Sequence, residues 1–291
     1  MGGARRKSLR RSKHLTVAAA QVSTSKDVSN STNLVLEMID EAAEGGVDIV
    51  GFPEGALFGY TGDTRFWRTV SPQRFAAAER RIGRRCARRR IAAVVGSAHQ
   101  VDGRWLNSLA VFGKDGQLKA RYGKTFLAGE RWCTNNQAAL PLVELAGAKC
   151  CFIICHDVRY PELVRLPAIA GAQLCWFCSC ESGLSAEHKL SAYRAMPIAR
   201  ATENGIFLVM CNAPADPKNL HRRGTSHGNS KVVDPDGNVL AEAGHFENGL
   251  VTAKIDLSRA HRQIARRSVR DPTILGDWLG RAASDFVEHV K

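Results

Sequence analysis

The chain has 291 residues, 44% hydrophobic and 24% charged, with 41 Lys and Arg against 28 Asp and Glu and a formal net charge of +13. This balance excludes a disordered, collagen-like or disulfide-scaffold chain, and the length suits one large domain or two ordinary ones. No apolar run approaches the roughly eighteen residues that cross a bilayer, and the first residues lack the apolar stretch of a secretory signal, so a soluble, cytoplasmic protein away from membranes is expected.

The nine cysteines cannot all pair within one chain. Cys150, Cys151 and Cys155, and again Cys175, Cys178 and Cys180, fall in apolar runs, which points to buried thiols in a reducing compartment.

In chain order, residues 1–13 come first, with Arg5, Arg6, Lys7, Arg10, Arg11 and Lys13 and almost no apolar side chain. They read as a solvated, disordered basic tail. His14 to Val22 reads as a buried strand. Thr32 to Ala43 reads as a helix with Leu34, Val35, Met38, Ile39 and Ala42 on one side, stopped by Gly45-Gly46. The strand Val47 to Phe52 runs out at Pro53-Glu54. The next helix, Pro72 to Arg90, places Phe75, Ala78, Ile82 and Cys86 on one face and Arg80, Arg81, Arg84, Arg85, Arg88, Arg89 and Arg90 around the rest. A solvated arginine face is the plainer reading of that cluster, and an anionic partner such as nucleic acid is the other.

Ile91 to Gly96 is a further strand. From Trp105 a hairpin follows, with its turn at Lys114-Asp115-Gly116, and brings Lys124 just past its second strand. Lys149 to Ile154 is a strand ending at Cys155. Then come a helix from Pro161 to Ala170, a strand from Gln173 to Phe177, a helix from Ser185 to Glu203 and a strand from Ile206 to Cys211. A second hairpin turns at Asp234-Pro235-Asp236-Gly237, and Leu250 to Leu257 is the last strand. Helices alternate with strands while hairpins interrupt, which predicts an α/β fold with mixed sheets in one domain over residues 14–270. Residues 271–291, with Trp278, Leu279, Phe286 and Val287, form a C-terminal extension that packs on the body or at a subunit interface.

Glu54, Lys124 and Cys155 each stand at or just past the end of an apolar strand, where a rigid sheet holds a side chain open to a pocket. Taken singly each is weak, since a cysteine after an apolar run is more often a packed thiol. Their flanks say more: Phe52-Pro53-Glu54 with Gly59-Tyr60, then Tyr122-Gly123-Lys124 with Gly129-Glu130, then Ile154-Cys155-His156-Asp157-Val158-Arg159-Tyr160-Pro161-Glu162. Downstream lie Arg200-Ala201-Thr202-Glu203-Asn204, Asn212, and His227-Gly228-Asn229-Ser230 leading to Asp234-Pro235-Asp236-Gly237. In order and spacing these blocks resemble the nitrilase (carbon-nitrogen hydrolase) superfamily from about Thr16 to Leu257.

The resemblance implies a four-layer αββα sandwich that dimerises, with a Glu-Lys-Cys site that uses no metal or organic cofactor. It assigns catalytic roles to Glu54, Lys124, Cys155 and Glu130, with an oxyanion hole from Lys124 and the backbone N–H of His156. The chemistry is coherent, because a free thiol is mostly protonated at neutral pH and a nucleophilic Cys155 needs a base or a nearby cation. The Cys175, Cys178 and Cys180 group has no second ligand pair at a zinc-like spacing, and alternation along a buried strand accounts for it. The His156 side chain is expected to point away from the nucleophile, as neighbours on an extended segment do. His188 and His227 read as ordinary helix and loop histidines.

Nitrilases usually carry Trp-Glu after the nucleophile, whereas this chain has His156-Asp157, which is similar to the amidase and carbamoylase branches. A thiol-dependent hydrolase of a small linear amide or N-carbamoyl compound is therefore expected, releasing ammonia or an amine. Nitrile hydrolysis, or a non-catalytic role of the arginine surface in binding nucleic acid, is the alternative. Tyr60, Arg159 and Glu181 are the candidate substrate-binding residues. Arg159 suits a substrate carboxylate or an ion pair with Asp157 or Glu162, and Glu181 suits an amine-bearing substrate such as a carbamoylated polyamine.

Overall fold

A computed structural model of the chain describes residues 14–290 apart from 24, 182–183, 185–186, 219 and 221–225. The basic segment 1–13 and the side chain of His188 lie outside the described residues.

Strict alternation in the first strands divides their side chains between two cores. In β1 (His14–Gln21), β2 (Ile49–Gly51) and β3 (Ala92–Val101), residues Val17, Ala19, Ile49, Ala92 and Val94 face one core, and Ala18, Ala20, Val50, Ala93 and Val95 face the other. Such two-sided burial is what a sheet between two layers requires. These strands and β4 (Arg104–Phe112), β5 (Leu118–Gly123) and β12 (Gly249–Asp256) make a six-stranded sheet in the order β12-β1-β2-β3-β4-β5. Its outer face is covered by α1 (Val28–Glu44) and α3 (Pro72–Arg89), and the short α2 (Thr64–Thr69) precedes α3. Asp27 caps α1 by accepting from the N–H groups of Ser29 and Asn30, so the helix starts four residues before the apolar pattern announces it.

The second sheet has seven strands in the order β11-β10-β9-β8-β7-β6-β13. They are β6 (Leu140–Leu145), β7 (Ala148–Ile154), β8 (Leu174–Ser179), β9 (Phe207–Asn212), β10 (Lys231–Val233), β11 (Val239–Glu242) and β13 (Val287–Val290). Its inner face packs on the first sheet, so closely that a Cβ at Gly51 would lie 2.5 Å from the indole of Trp176. Helices α4 (Glu162–Ala170) and α5 (Glu187–Thr202) follow β7 and β8 on the far side, which completes an αββα sandwich with mixed sheets.

Two hairpins lie beyond the sequence expectation. The strand expected to stop at Gly96 continues to Val101 and turns through Asp102 and Gly103, both at positive φ, into β4. A second pair of positive φ values at Ala146 and Gly147 joins β6 to β7. Two-residue turns of this kind match the twist of antiparallel strands. At the C-terminus, α6 (Gln263–Arg270) and α7 (Gly276–Phe286) run beside α4, and β13 adds to the edge of the second sheet parallel to β6. Trp278 and Phe286 stay about half exposed, at 51% and 58%.

The arginine cluster on α3 is only partly a solvated face. Arg85 and Arg89 pair with Asp40, Arg89 also with Glu44, and Arg81 donates to Asn33 at 2.7 Å, all on α1. Arg80, Arg84, Arg88 and Arg90 are exposed. Among the described residues no helix is long and apolar enough to cross a membrane.

Candidate active site

Glu54, Lys124 and Cys155 come from the ends of β2, β5 and β7, which the stacked sheets bring to one place. Glu54 is held by the close approach of its loop to β3, since a Cβ on Gly96 would lie 2.1 Å from the carbonyl oxygen of Pro53 and 2.6 Å from the nitrogen of Gly55. Its Oε1 accepts from Lys124 Nζ and from Asn107 Nδ2, both at 2.8 Å, and its Oε2 accepts from the Cys180 N–H at 3.1 Å. Three donors thus orient a carboxylate that is only 2% exposed.

Lys124 is fixed through its backbone, donating to the Asn107 carbonyl and accepting from the Asn136 N–H, at 2.8 and 2.9 Å. Its fully buried ammonium lies between Glu54 and Glu130 and 5.7 Å from the centre of the Tyr60 ring. Glu130 also accepts from the Tyr60 hydroxyl at 2.9 Å and from the Ala128 N–H. Burial works against the lysine's charge, but Glu54, Cys155 and Glu130 outweigh it and hold the ammonium well above the usual lysine value. At Glu130, burial pushes up while Lys124 pulls the carboxyl below its ordinary range. At Glu54, burial prevails over Lys124 and leaves a more basic carboxylate than usual.

Cys155 opens a 3-10 turn (Cys155–Arg159) and takes φ of +47°, a left-handed conformation that costs a non-glycine residue energy and recurs at functional positions. The thiol is pushed well above its ordinary range, by burial first and then by the charge of Glu54, against the pull of Lys124. The tight turn corrects one expectation. His156 follows a positive φ and not an extended strand, so alternation does not place its side chain; it is half-buried, with its ring 5.7 Å from that of Tyr160.

Asp157, to which the sequence assigned no role of its own, links the segments that carry Lys124 and Cys155. Its Oδ1 accepts from the Phe126 N–H at 2.8 Å, and its Oδ2 accepts from the Tyr122 hydroxyl at 2.7 Å and the Ile154 N–H at 3.0 Å. Burial pushes this carboxyl up to about 6. Asn107 is the other residue that sequence reasoning missed; a polar side chain inside LNSLAVF was its only signal.

A wall runs from Arg159 to Glu181. The exposed Arg159 guanidinium lies 5.6 Å from the centre of the Tyr193 ring, Tyr193 stacks on His227 with centroids 5.7 Å apart, and His227 Nε2 is 3.9 Å from Glu181 Oε2. Among the described residues no group of His, Cys, Asp and Glu side chains is arranged to hold a metal ion.

Comparison with known proteins identifies the family. The family model described as carbon-nitrogen hydrolase matches residues 16–265. The 2-oxoglutaramate amidase of Bacillus subtilis is 34% identical over 158 residues, covering 53% of this chain and 57% of that protein's own length. An omega-amidase of Xenopus laevis is 27% identical over 243 residues, covering 79% and 84%. Among solved structures, a mutant amidase from Nesterenkonia sp. AN1, with the acetamide moiety of fluoroacetamide covalently added at its active-site cysteine, superposes with a TM-score of 0.76. The two are 25% identical, and the match covers 90% of this chain and 95% of that one. With the family match spanning most of the molecule and the fold shared, the chain belongs to the carbon-nitrogen hydrolase family.

Proposed function

We propose that Cys155 is the nucleophile, Glu54 the general base and acid, and Lys124 the oxyanion donor in hydrolysis of a small linear amide. The observation that carries this reading is the buried Lys124 ammonium held between Glu54 and Glu130, with Glu54 oriented by Asn107 and the Cys180 N–H. Glu54 takes the Cys155 proton as sulfur attacks the amide carbon, and its raised basicity suits that transfer. The tetrahedral oxyanion is stabilised by Lys124 and by the backbone N–H of His156. Glu54 returns the proton to the departing nitrogen, and ammonia leaves a thioester on Cys155. Water then gives a proton to Glu54 and attacks the thioester, and the acid product leaves with the thiol restored. Glu130 and Tyr60 hold Lys124 in place from the other side.

An N-carbamoyl compound presents the same terminal carboxamide and is the second substrate class for this site. Arg159, exposed at the edge of the wall, suits a substrate carboxylate, and the amidase names of the Bacillus and Xenopus relatives support small amides first. All nine cysteines are free, which supports a reducing, cytoplasmic setting. A homodimer is the proposed assembly, supported by the exposed apolar side chains Ile274, Leu275, Trp278 and Phe286 near the C-terminus.

The test is ammonia release from a panel of linear amides and N-carbamoyl compounds by the wild type and by Cys155→Ala. The variant should retain the circular-dichroism spectrum of the wild type and release no ammonia above background. Undiminished turnover would refute the thiol mechanism.

A further inference from the structure

Glu181 stands two residues past β8, beside Asn212 at the end of β9. Its side chain is 1% exposed, and its Oε2 has no hydrogen-bond partner among the described residues. Buried polar groups ordinarily have partners, and a carboxylate is among the costliest to leave without one. His227 Nε2, at 3.9 Å, is beyond hydrogen-bond reach. It is also turned to another task. Asn212 Oδ1 accepts from Ser226 Oγ at 2.9 Å and Asn212 Nδ2 donates to the Gly228 carbonyl at 2.8 Å, which settles the orientation of the amide. The same Nδ2 faces His227 Nε2 at 3.4 Å, an arrangement that suits this ring nitrogen as the acceptor.

Among the described residues Oε2 therefore has no donor, and the carboxyl is near enough to Cys155 for its charge to act on the thiol. Burial, then the charge of Glu54, pushes Glu181 well above the ordinary carboxyl range, and Glu181 in turn helps raise the Cys155 thiol. A cation entering the site would answer the burial of Glu181 without displacing any hydrogen bond that Oε2 makes among the described residues. Among the described residues a substrate carboxylate would find no cation at this end of the wall to pair with and would be drawn to Arg159 at the other.

We propose that Glu181 is a substrate-recognition residue that seats a protonated amine, so that the preferred substrate is a small linear amide carrying an ammonium group away from the scissile bond. The proposal rests on Cys155 being the nucleophile, and it assigns the substrate class of that same site.

The test compares kcat/KM for ω-aminoalkanamides and for uncharged alkanamides of equal length, in the wild type and in Glu181→Gln. The wild type should prefer the ammonium member, and the preference should fall about a hundredfold in Glu181→Gln, as expected when one partner of a buried charge pair is neutralised. Because the readout is a ratio of two substrates, loss of folded enzyme cancels. Calorimetry of the same two amides on Cys155→Ala reads the preference without turnover, and it should vanish in Cys155→Ala/Glu181→Gln. A wild type indifferent to the ammonium group, or a ratio that Glu181→Gln leaves unmoved, overturns the proposal. Turnover persisting in Cys155→Ala would overturn the thiol mechanism instead, and the calorimetric preference would still decide for or against Glu181.

Discussion

Replacing Lys124 by methionine keeps most of the side-chain volume and removes the charge between Glu54 and Glu130. Both ion pairs are buried, with side-chain exposures of 0% and 0% in one and 0% and 5% in the other, so solvent screens neither. Taking one partner from such a pair leaves an uncompensated buried charge and costs about 3–5 kcal/mol of stability near neutral pH. The loss should depend on pH in a definite sense. Lys124 holds Glu130 below its usual range and opposes burial at Glu54, so without it burial lifts Glu130 above its unfolded value and raises the already elevated Glu54 further. A carboxyl raised in this way contributes stability that is fully present below its unfolded pKa and lost as pH rises through its folded pKa. The deficit of Lys124→Met against the wild type should therefore be largest at about pH 7.5 and should narrow toward about pH 5. Urea denaturation followed by tryptophan fluorescence at the two pH values measures it, and Lys124→Met/Glu130→Gln should recover about 1–2 kcal/mol at the higher pH. The same variant should lose about 10²–10³ in kcat as an oxyanion donor disappears. A deficit below about 1 kcal/mol, or one equal at both pH values, would refute the view that Lys124 neutralises two buried carboxylates.

Gly96→Ala would place a methyl group 2.1 Å from the Pro53 carbonyl oxygen; the loop carrying Glu54 must shift, and both melting temperature and kcat should fall, the latter by about 10²-fold or more as the base is misplaced. A wild-type kcat in this variant would show that the position of the Glu54 loop is not set by β3. Asp157→Asn removes an acceptor shared by Tyr122, Phe126 and Ile154 and should lower stability by about 1–3 kcal/mol. Because burial raises the Asp157 carboxyl to about 6, its own contribution is present below the unfolded pKa and fades as pH rises through about 6. The wild-type advantage over Asp157→Asn should thus be larger at acid pH, and chemical denaturation across that range that shows the opposite slope would contradict the assignment.

Much of the layered fold was legible because two-sided apolar alternation in His14 to Val22 and Ile91 to Gly96 is a local property of the chain. By sequence Gly96 reads as the end of a strand. It lies within β3, where the absence of a Cβ admits the Glu54 loop, and only a partner on another strand reveals that. Helix α1 begins before its apolar pattern because Val28 to Ser31 are mostly polar and Asp27 caps the first N–H groups. The β6–β7 hairpin has no clear turn signal, because Ala146 in its turn is a residue that rarely adopts positive φ.

The sequence by itself determined which reactive side chains stand at strand ends, since strand periodicity and the blocks around Glu54, Lys124 and Cys155 are read within a few residues of each. Tertiary structure decided what surrounds them. Asn107 reaches Glu54 across 53 residues and Tyr122 reaches Asp157 across 35, and no local pattern encodes such pairings. The same holds for charge: Arg81, Arg85 and Arg89 are engaged by α1 while Glu181 stands buried with Oε2 unpartnered among the described residues. A side chain's partners and its distance from water are set by segments remote in sequence, and they turn a carboxylate into a base, a clamp or a binding group.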